Sequence, residues 1–169
     1  MDFTVEVERS LRVLDGAVAL LDGSQGAEPQ TETVWRQADK YGVPRLIFVN
    51  KMDKMGADFY MSIESVAQRL SNKAVPIQLP IGKADTFEGV IDLITMKAYH
   101  FEGEKGIDVV EGEIPADMQA KAEEYREAMI DAISMFDDEL AEKFLGGEEI
   151  SNDLIKRAIR KGVISNELY

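Results

Sequence analysis

The chain has 169 residues, with 19 Lys plus Arg against 32 Asp plus Glu and a formal net charge of −13. Its length suits one ordinary domain, or a core with one sizeable subdomain, and its 45% hydrophobic and 30% charged residues give the balance of a folded soluble chain. Cysteine is absent, which excludes disulfides, thiolate zinc sites and cysteine nucleophiles, and an acidity this strong argues against broad nucleic-acid binding. The longest apolar runs, such as Leu46 to Val49, are far too short to span a bilayer. The start, Met1-Asp2-Phe3-Thr4-Val5-Glu6, lacks the basic and apolar regions of a signal peptide, so composition predicts a soluble, intracellular protein.

The first third alternates helix and strand patterns. Phe3, Val7, Leu11 and Leu14 form one helix face, which Asp15-Gly16 is expected to end through a left-handed glycine. Ala17 to Leu21 reads as a strand running into Asp22-Gly23-Ser24-Gln25-Gly26. A helix over about 30–40 would bury Val34, Ala38 and Tyr41, with Trp35 as partly buried packing. Leu46 to Val49 is uniformly apolar, as a strand covered on both faces should be. A third helix, about 58–70, carries Phe59, Ile63, Val66 and Leu70 on one stripe. Strand, helix, strand and helix at these lengths predict a parallel α/β layer.

Near residue 73 the grammar changes. Val75 to Ile81 reads as a strand that Pro76 and Pro80 confine to an edge or bulge. Val90 to Ile94, Lys97 to Phe101 and Ile107 to Val110 complete a small antiparallel sheet. One long helix is then expected from Asp117 to Leu145, its stripe running from Met118 through Ala122, Tyr125, Met129 and Ile133 to Phe144, with Gly146-Gly147 as the stop. Ser151 or Asn152 caps a last helix with Leu154, Ile155, Ala158 and Ile159 inside.

The most informative residues are Asn50-Lys51-Met52-Asp53, directly after the apolar strand. Ligands of open α/β sheets bind beyond the carboxyl ends of strands. An Asn-Lys-x-Asp tetrad also matches guanine chemically. The Asp53 carboxylate can accept from the ring N–H and the exocyclic amino group together, a donor pair adenine does not offer. The Asn50 amide can serve the carbonyl and N7 side or tie down neighbouring loops, and the Lys51 stem can lie flat on the base with its ammonium in water. The bland alternative is a polar strand-to-helix turn.

These residues, with Asp15-Gly16-Ala17, the run from Asp22 to Thr31, Trp35-Arg36-Gln37-Ala38, Gly56-Ala57-Asp58-Phe59, Ile114-Pro115-Ala116-Asp117 and Phe144-Leu145-Gly146-Gly147, resemble the GTP-binding domain of the bacterial elongation factor G family. The resemblance spans essentially the whole chain. It implies an α/β fold in two parts: 1–73, a partial P-loop-GTPase-like parallel sheet with helices, and 74–169, an inserted α+β subdomain with a small antiparallel sheet and a long acidic helix. It implies a parent that binds GTP or GDP with magnesium and hydrolyses GTP to drive ribosomal translocation of transfer and messenger RNA, in the cytoplasm or, for an organellar relative, in the matrix.

No Gly-rich loop ending in Gly-Lys-Ser/Thr occurs in these 169 residues, nor does the threonine-bearing switch segment that contacts magnesium. By the resemblance, the family's Asp-x-x-Gly-His segment would precede Met1 and its last guanine-contacting loop would follow Tyr169. No catalytic or metal residue is therefore assigned, and the chain alone is expected to be inactive, with no nucleotide bound. His100 does not match the family's catalytic histidine and reads as an ordinary strand residue. Asp137-Asp138-Glu139 point in different directions on a helix and cannot form a metal cage.

Glu123, Glu127 and Asp131 follow at steps of four, with Glu124 and Glu142 nearby, so one helix surface carries a row of like charges. A solvated outer face is the plain reading. The resemblance adds another, because the family's inserted subdomain has an acidic helix that engages the ribosomal stalk protein. Lys156, Arg157, Arg160 and Lys161 cluster on the last helix and would either neutralise the acidic row or face the ribosome. Three function classes follow: a piece of a translational GTPase, a non-catalytic module docking to the stalk, or an unrelated nucleotide-binding α/β enzyme. No membrane partner is expected. Self-association through a truncated sheet is.

Overall fold

The computed structural model describes residues 4–169, which build two separate sheets. The first is parallel and two-stranded. Helix α1 (Thr4–Leu11) leads to β1 (Ala17–Asp22), α2 (Pro29–Lys40), β2 (Arg45–Asn50) and α3 (Phe59–Arg69). Strands β1 and β2 pair in register from Ala17 with Arg45 to Asp22 with Asn50, so their carboxyl ends finish side by side.

Antiparallel order β3-β4-β5-β6 makes the second sheet, from β3 (Gln78–Ile81), β4 (Gly89–Asp92), β5 (Lys97–Glu102) and β6 (Asp108–Gly112). Leu79, Ile91 and Ala98 lie in register on its inner face and are wholly buried. Helices α4 (Gln119–Ser134), α5 (Asp138–Leu145) and α6 (Asn152–Ile164) share the core with that face through Met129, Ile133, Leu140 and Ile155. The α/β class and the parallel-then-antiparallel division of sheets stand as the sequence predicts.

Several local expectations are corrected. Helix α1 stops at Leu11, leaving Leu14 exposed, and Gly16 is not left-handed. Phe3, expected on its face, lies outside the described residues. On α2 the buried positions are Trp35 and Ala38, while Val34 is exposed. Strand β3 begins at Gln78 rather than Val75, and Pro80 sits in it as an edge strand allows. Strand β2 is not covered on both faces: Val18, Leu20, Leu46 and Phe48, in register in pairs, are each between 46% and 63% exposed.

The largest correction is the long helix, which is two. The chain leaves α4 after Ser134, and Asp137 adopts an extended backbone as the N-cap of α5, accepting from the Leu140 N–H. A carboxylate that caps a helix start satisfies a backbone donor left orphaned there. Asp137 is also where the basic helix engages. Its carboxylate accepts from Arg157 Nε at 2.8 Å and Lys161 Nζ at 2.6 Å, while Arg157 reaches Glu139 at 2.7 Å. Ser151 caps α6 as expected.

The end of the chain returns to the parallel unit. Tyr169 N–H donates to Lys73 O, and Val75 N–H donates to Tyr169 O. The buried Arg45 guanidinium lies 4.4 Å from the Trp35 ring centre and 4.9 Å from that of Tyr169. Arg45 donates to Val43 O, Trp35 O and Asp39 Oδ1, so the buried cation is hydrogen-bonded and paired.

Candidate functional site

Two loops meet beyond the carboxyl ends of β1 and β2. Gly23 N–H donates to Asn50 O at 2.8 Å, and Asp58 N–H donates to Gly23 O at 2.9 Å, which staples the β1 loop between the start and end of the β2 loop. Gly23 is needed for that approach: a Cβ there would meet Met52 Sδ at 3.0 Å and Asn50 O at 3.1 Å. Met52 is buried and anchors the β2 loop from below, and its carbonyl accepts from Ala84 N–H at 2.8 Å. Asp58 caps α3 through Met61 N–H, which with Lys83 holds its carboxyl below the usual range. Ser62, fully buried, donates to Asp58 O.

On this frame the four tetrad residues divide by direction. Met52 turns inward, while Asn50, Lys51 and Asp53 are exposed together. Lys51 takes a left-handed backbone, φ 61°, unusual for a residue with a long side chain. Among the described residues the Asn50 and Asp53 side chains have no hydrogen-bond or ionic partner in the protein. Both therefore remain available to a ligand. The Lys51 ammonium, on a half-exposed side chain, lies 3.1 Å from Asp22 Oδ2.

Asp22 is the residue that sequence reasoning missed. Its Oδ1 accepts from the Ser24 hydroxyl at 2.6 Å and Ser24 N–H at 3.0 Å, and its Oδ2 faces both Lys51 and Lys54, the latter at 3.3 Å. The Ser24 hydroxyl and N–H, then the lysines, hold its carboxyl far below the ordinary range. No spacing in the sequence marks it, because the parallel register that sets Asp22 beside Asn50 is made only on folding.

The other candidates are dispersed. Glu123, Glu127 and Asp131 all face outward from α4, remote in role from the loops, and only Glu123 has a side-chain partner, Gln119. Arg157 and Lys161 are paired with Asp137 and not with that row, whereas Lys156 and Arg160 are exposed. His100 lies half-buried on β5. Trp35 is more deeply buried than expected and is packed on Arg45, so it offers no stacking platform. Among the described residues no group of three or more His, Asp or Glu could hold a metal ion, and no helix is long and apolar enough to cross a membrane.

A parallel β-α-β unit carries the Asn50-Lys51-Met52-Asp53 loop at its carboxyl edge, the edge at which ligands of open α/β sheets bind. The profile of the elongation factor Tu GTP binding domain matches residues 1–144, and the chain belongs to that family. It is 63% identical over 169 residues to proteins named elongation factor G from Ureaplasma urealyticum serovar 10 and from Ureaplasma parvum serovar 3, covering 100% of this chain and 25% of each relative. The chain thus spans a quarter of the length of these relatives. A crystal structure of a Thermus thermophilus protein superposes with a TM-score of 0.84 at 30% identity, covering 99% of this chain and 24% of that one.

Proposed function

We propose that this chain is the segment of a translation elongation factor that carries guanine recognition, in a parent that binds and hydrolyses GTP to drive ribosomal translocation of transfer and messenger RNA in the cytoplasm. Residues 1–73 are the partial GTP-binding core and 74–169 the inserted subdomain. The single observation that carries the reading is the exposed Asn50-Lys51-Met52-Asp53 loop, whose free Asn50 and Asp53 side chains lie at the carboxyl edge of a parallel pair. Asp53 accepts both donors of the guanine edge, Asn50 serves the opposite edge or braces the loops, and the Lys51 stem covers the base face.

The residues fit the base but not the phosphates or magnesium. The sequence has no Gly-Lys-Ser/Thr loop, and the described residues hold no metal-ligand cluster. Phosphoryl transfer rests on positioning and charge around the phosphates, so no such step is assigned to this chain, which alone is expected not to hydrolyse GTP.

A second reading concerns the outward acidic row of α4. Arg157 and Lys161 pair with Asp137, and among the described residues Glu127 and Asp131 have no ionic partner. An exposed like-charge row is relieved by a basic partner, and the ribosomal stalk protein is the one proposed.

Titration of the isotope-labelled chain with guanosine and with adenosine tests the principal reading. Guanosine should shift the amide signals of Asn50 to Asp53, and adenosine should leave them in place. Equal shifts from both nucleosides would contradict it.

A further inference from the structure

The recognition loop has an unusual dependence on a residue outside it. Lys51 and Lys54 belong to the β2 loop, yet both ammonium groups converge on one carboxylate oxygen of Asp22, at the end of the neighbouring strand. That carboxylate is itself held: Ser24 donates to its other oxygen through both hydroxyl and backbone N–H. Asp22 is mostly shielded, with 17% side-chain exposure, whereas the two lysines are about half-exposed at 57% and 49%. The arrangement is one shielded carboxylate shared by two half-exposed ammonium groups.

We propose that Asp22 is a positioning residue for guanine recognition, which clamps Lys51 and Lys54 so that the loop from Asn50 to Asp53 is pre-formed before the base arrives. The inference rests on the guanine reading of that loop. A lysine stem free in water samples many rotamers, and a base that stacks on it must first order it. Pinning the ammonium at Asp22 orders the stem in advance, which is the general route by which preorganisation raises affinity. The left-handed backbone at Lys51 adds a second reason for a clamp. A non-glycine residue persists there only when its surroundings hold it, and the Lys54 N–H to Lys51 O bond at 3.1 Å together with the two ion pairs does so.

Each lysine contact alone is a partly exposed ion pair, the kind that contributes little to stability. The effect should therefore appear in the loop and in base affinity rather than in the melting temperature. A merely structural role would do the reverse.

The test compares wild type with Asp22→Asn, Asp22→Glu and Lys54→Gln, by amide hydrogen exchange and by guanosine titration followed by NMR. Lys54→Gln removes one arm without touching β1 and keeps the test open if Asp22→Asn folds poorly. Asp22→Asn should speed exchange across Lys51 to Lys54 and weaken guanosine about tenfold, the cost of re-ordering a lysine stem at binding. Lys54→Gln should move both readouts the same way by less, and Asp22→Glu should restore part of the loss. Unchanged exchange in Asp22→Asn, or a loosened loop that binds guanosine as wild type does, would overturn the proposal. A wild type that binds guanosine and adenosine alike is a failure of the guanine reading instead, and is told apart because it needs no variant.

Discussion

Asp137 has a side-chain exposure of 2% and accepts from Arg157, Lys161 and the Leu140 N–H at once, tying the start of α5 to α6. Arg157 and Lys161 keep this carboxyl far below its usual range, against the opposing effect of burial. Asp137→Asn should lower unfolding stability by about 1–3 kcal/mol, less than for a fully buried pair because both cationic heads reach solvent. A depressed native pKa fixes the sign of the pH effect: the contribution is complete above about pH 4 and is lost as pH falls through the native value. Urea unfolding of both proteins at pH 7 and at pH 2.5 checks this, with the gap expected to narrow in acid. A gap of equal size at both pH values would contradict it. At this scale the sequence was legible where residues are contiguous, as in the placement of the Asn50-Lys51-Met52-Asp53 loop at the end of β2. It was opaque where partners are distant in the chain, as for Asp22 with Lys51 and Asp137 with Arg157, because spacing along one segment carries no trace of a pairing made by tertiary register.

Helix α4 carries its burial on Ala122, Met129, Ile130 and Ile133, with Arg126 turned to the Leu93 and Ile94 carbonyls, while Glu123, Glu127 and Asp131 are exposed. Reversing Glu123, Glu127 and Asp131 to lysine should therefore leave helicity intact, with stability within about 0.5 kcal/mol of wild type for each site. If the row docks a basic partner, the triple reversal should weaken binding of the stalk protein's C-terminal domain and slow its association, and wild-type association should slow as salt rises. Equal affinity of both folded proteins at low salt would return the row to a solvated face. Element types were readable here because apolar periodicity survives in each helix and strand. The break at Met135 to Asp137 was not, since the apolar stripe continues in phase from Ile133 through Phe136 to Leu140. An Asp followed by Asp138-Glu139 in a first helical turn was the available signal, one that the unbroken stripe masked.

Across the whole molecule, the antiparallel unit is closed by three helices, whereas the parallel pair leaves Val18, Leu20, Leu46 and Phe48 open to solvent. Contiguous exposed apolar surface on an open sheet favours association. Light scattering over a concentration series should show mass rising above that of a monomer, and Leu20→Ser with Phe48→Ser should suppress the rise. Monomer mass throughout would contradict it. Uniform apolarity in Leu46 to Val49 announced a strand with two covered faces, and only one is covered within this chain: sequence reports what a strand is suited to bury, not whether the covering element is present. The family and the α/β class were legible because their motifs are local. The central claim, guanine recognition by Asn50, Lys51 and Asp53, rests on the donor and acceptor pattern at Asp53, and Asp53→Asn inverts that pattern. The most direct measurement is NMR competition between guanosine and xanthosine on wild type and Asp53→Asn. The account predicts that wild type prefers guanosine and that Asp53→Asn prefers xanthosine, whose second ring carbonyl meets the new amide N–H. An unchanged preference in Asp53→Asn would contradict it.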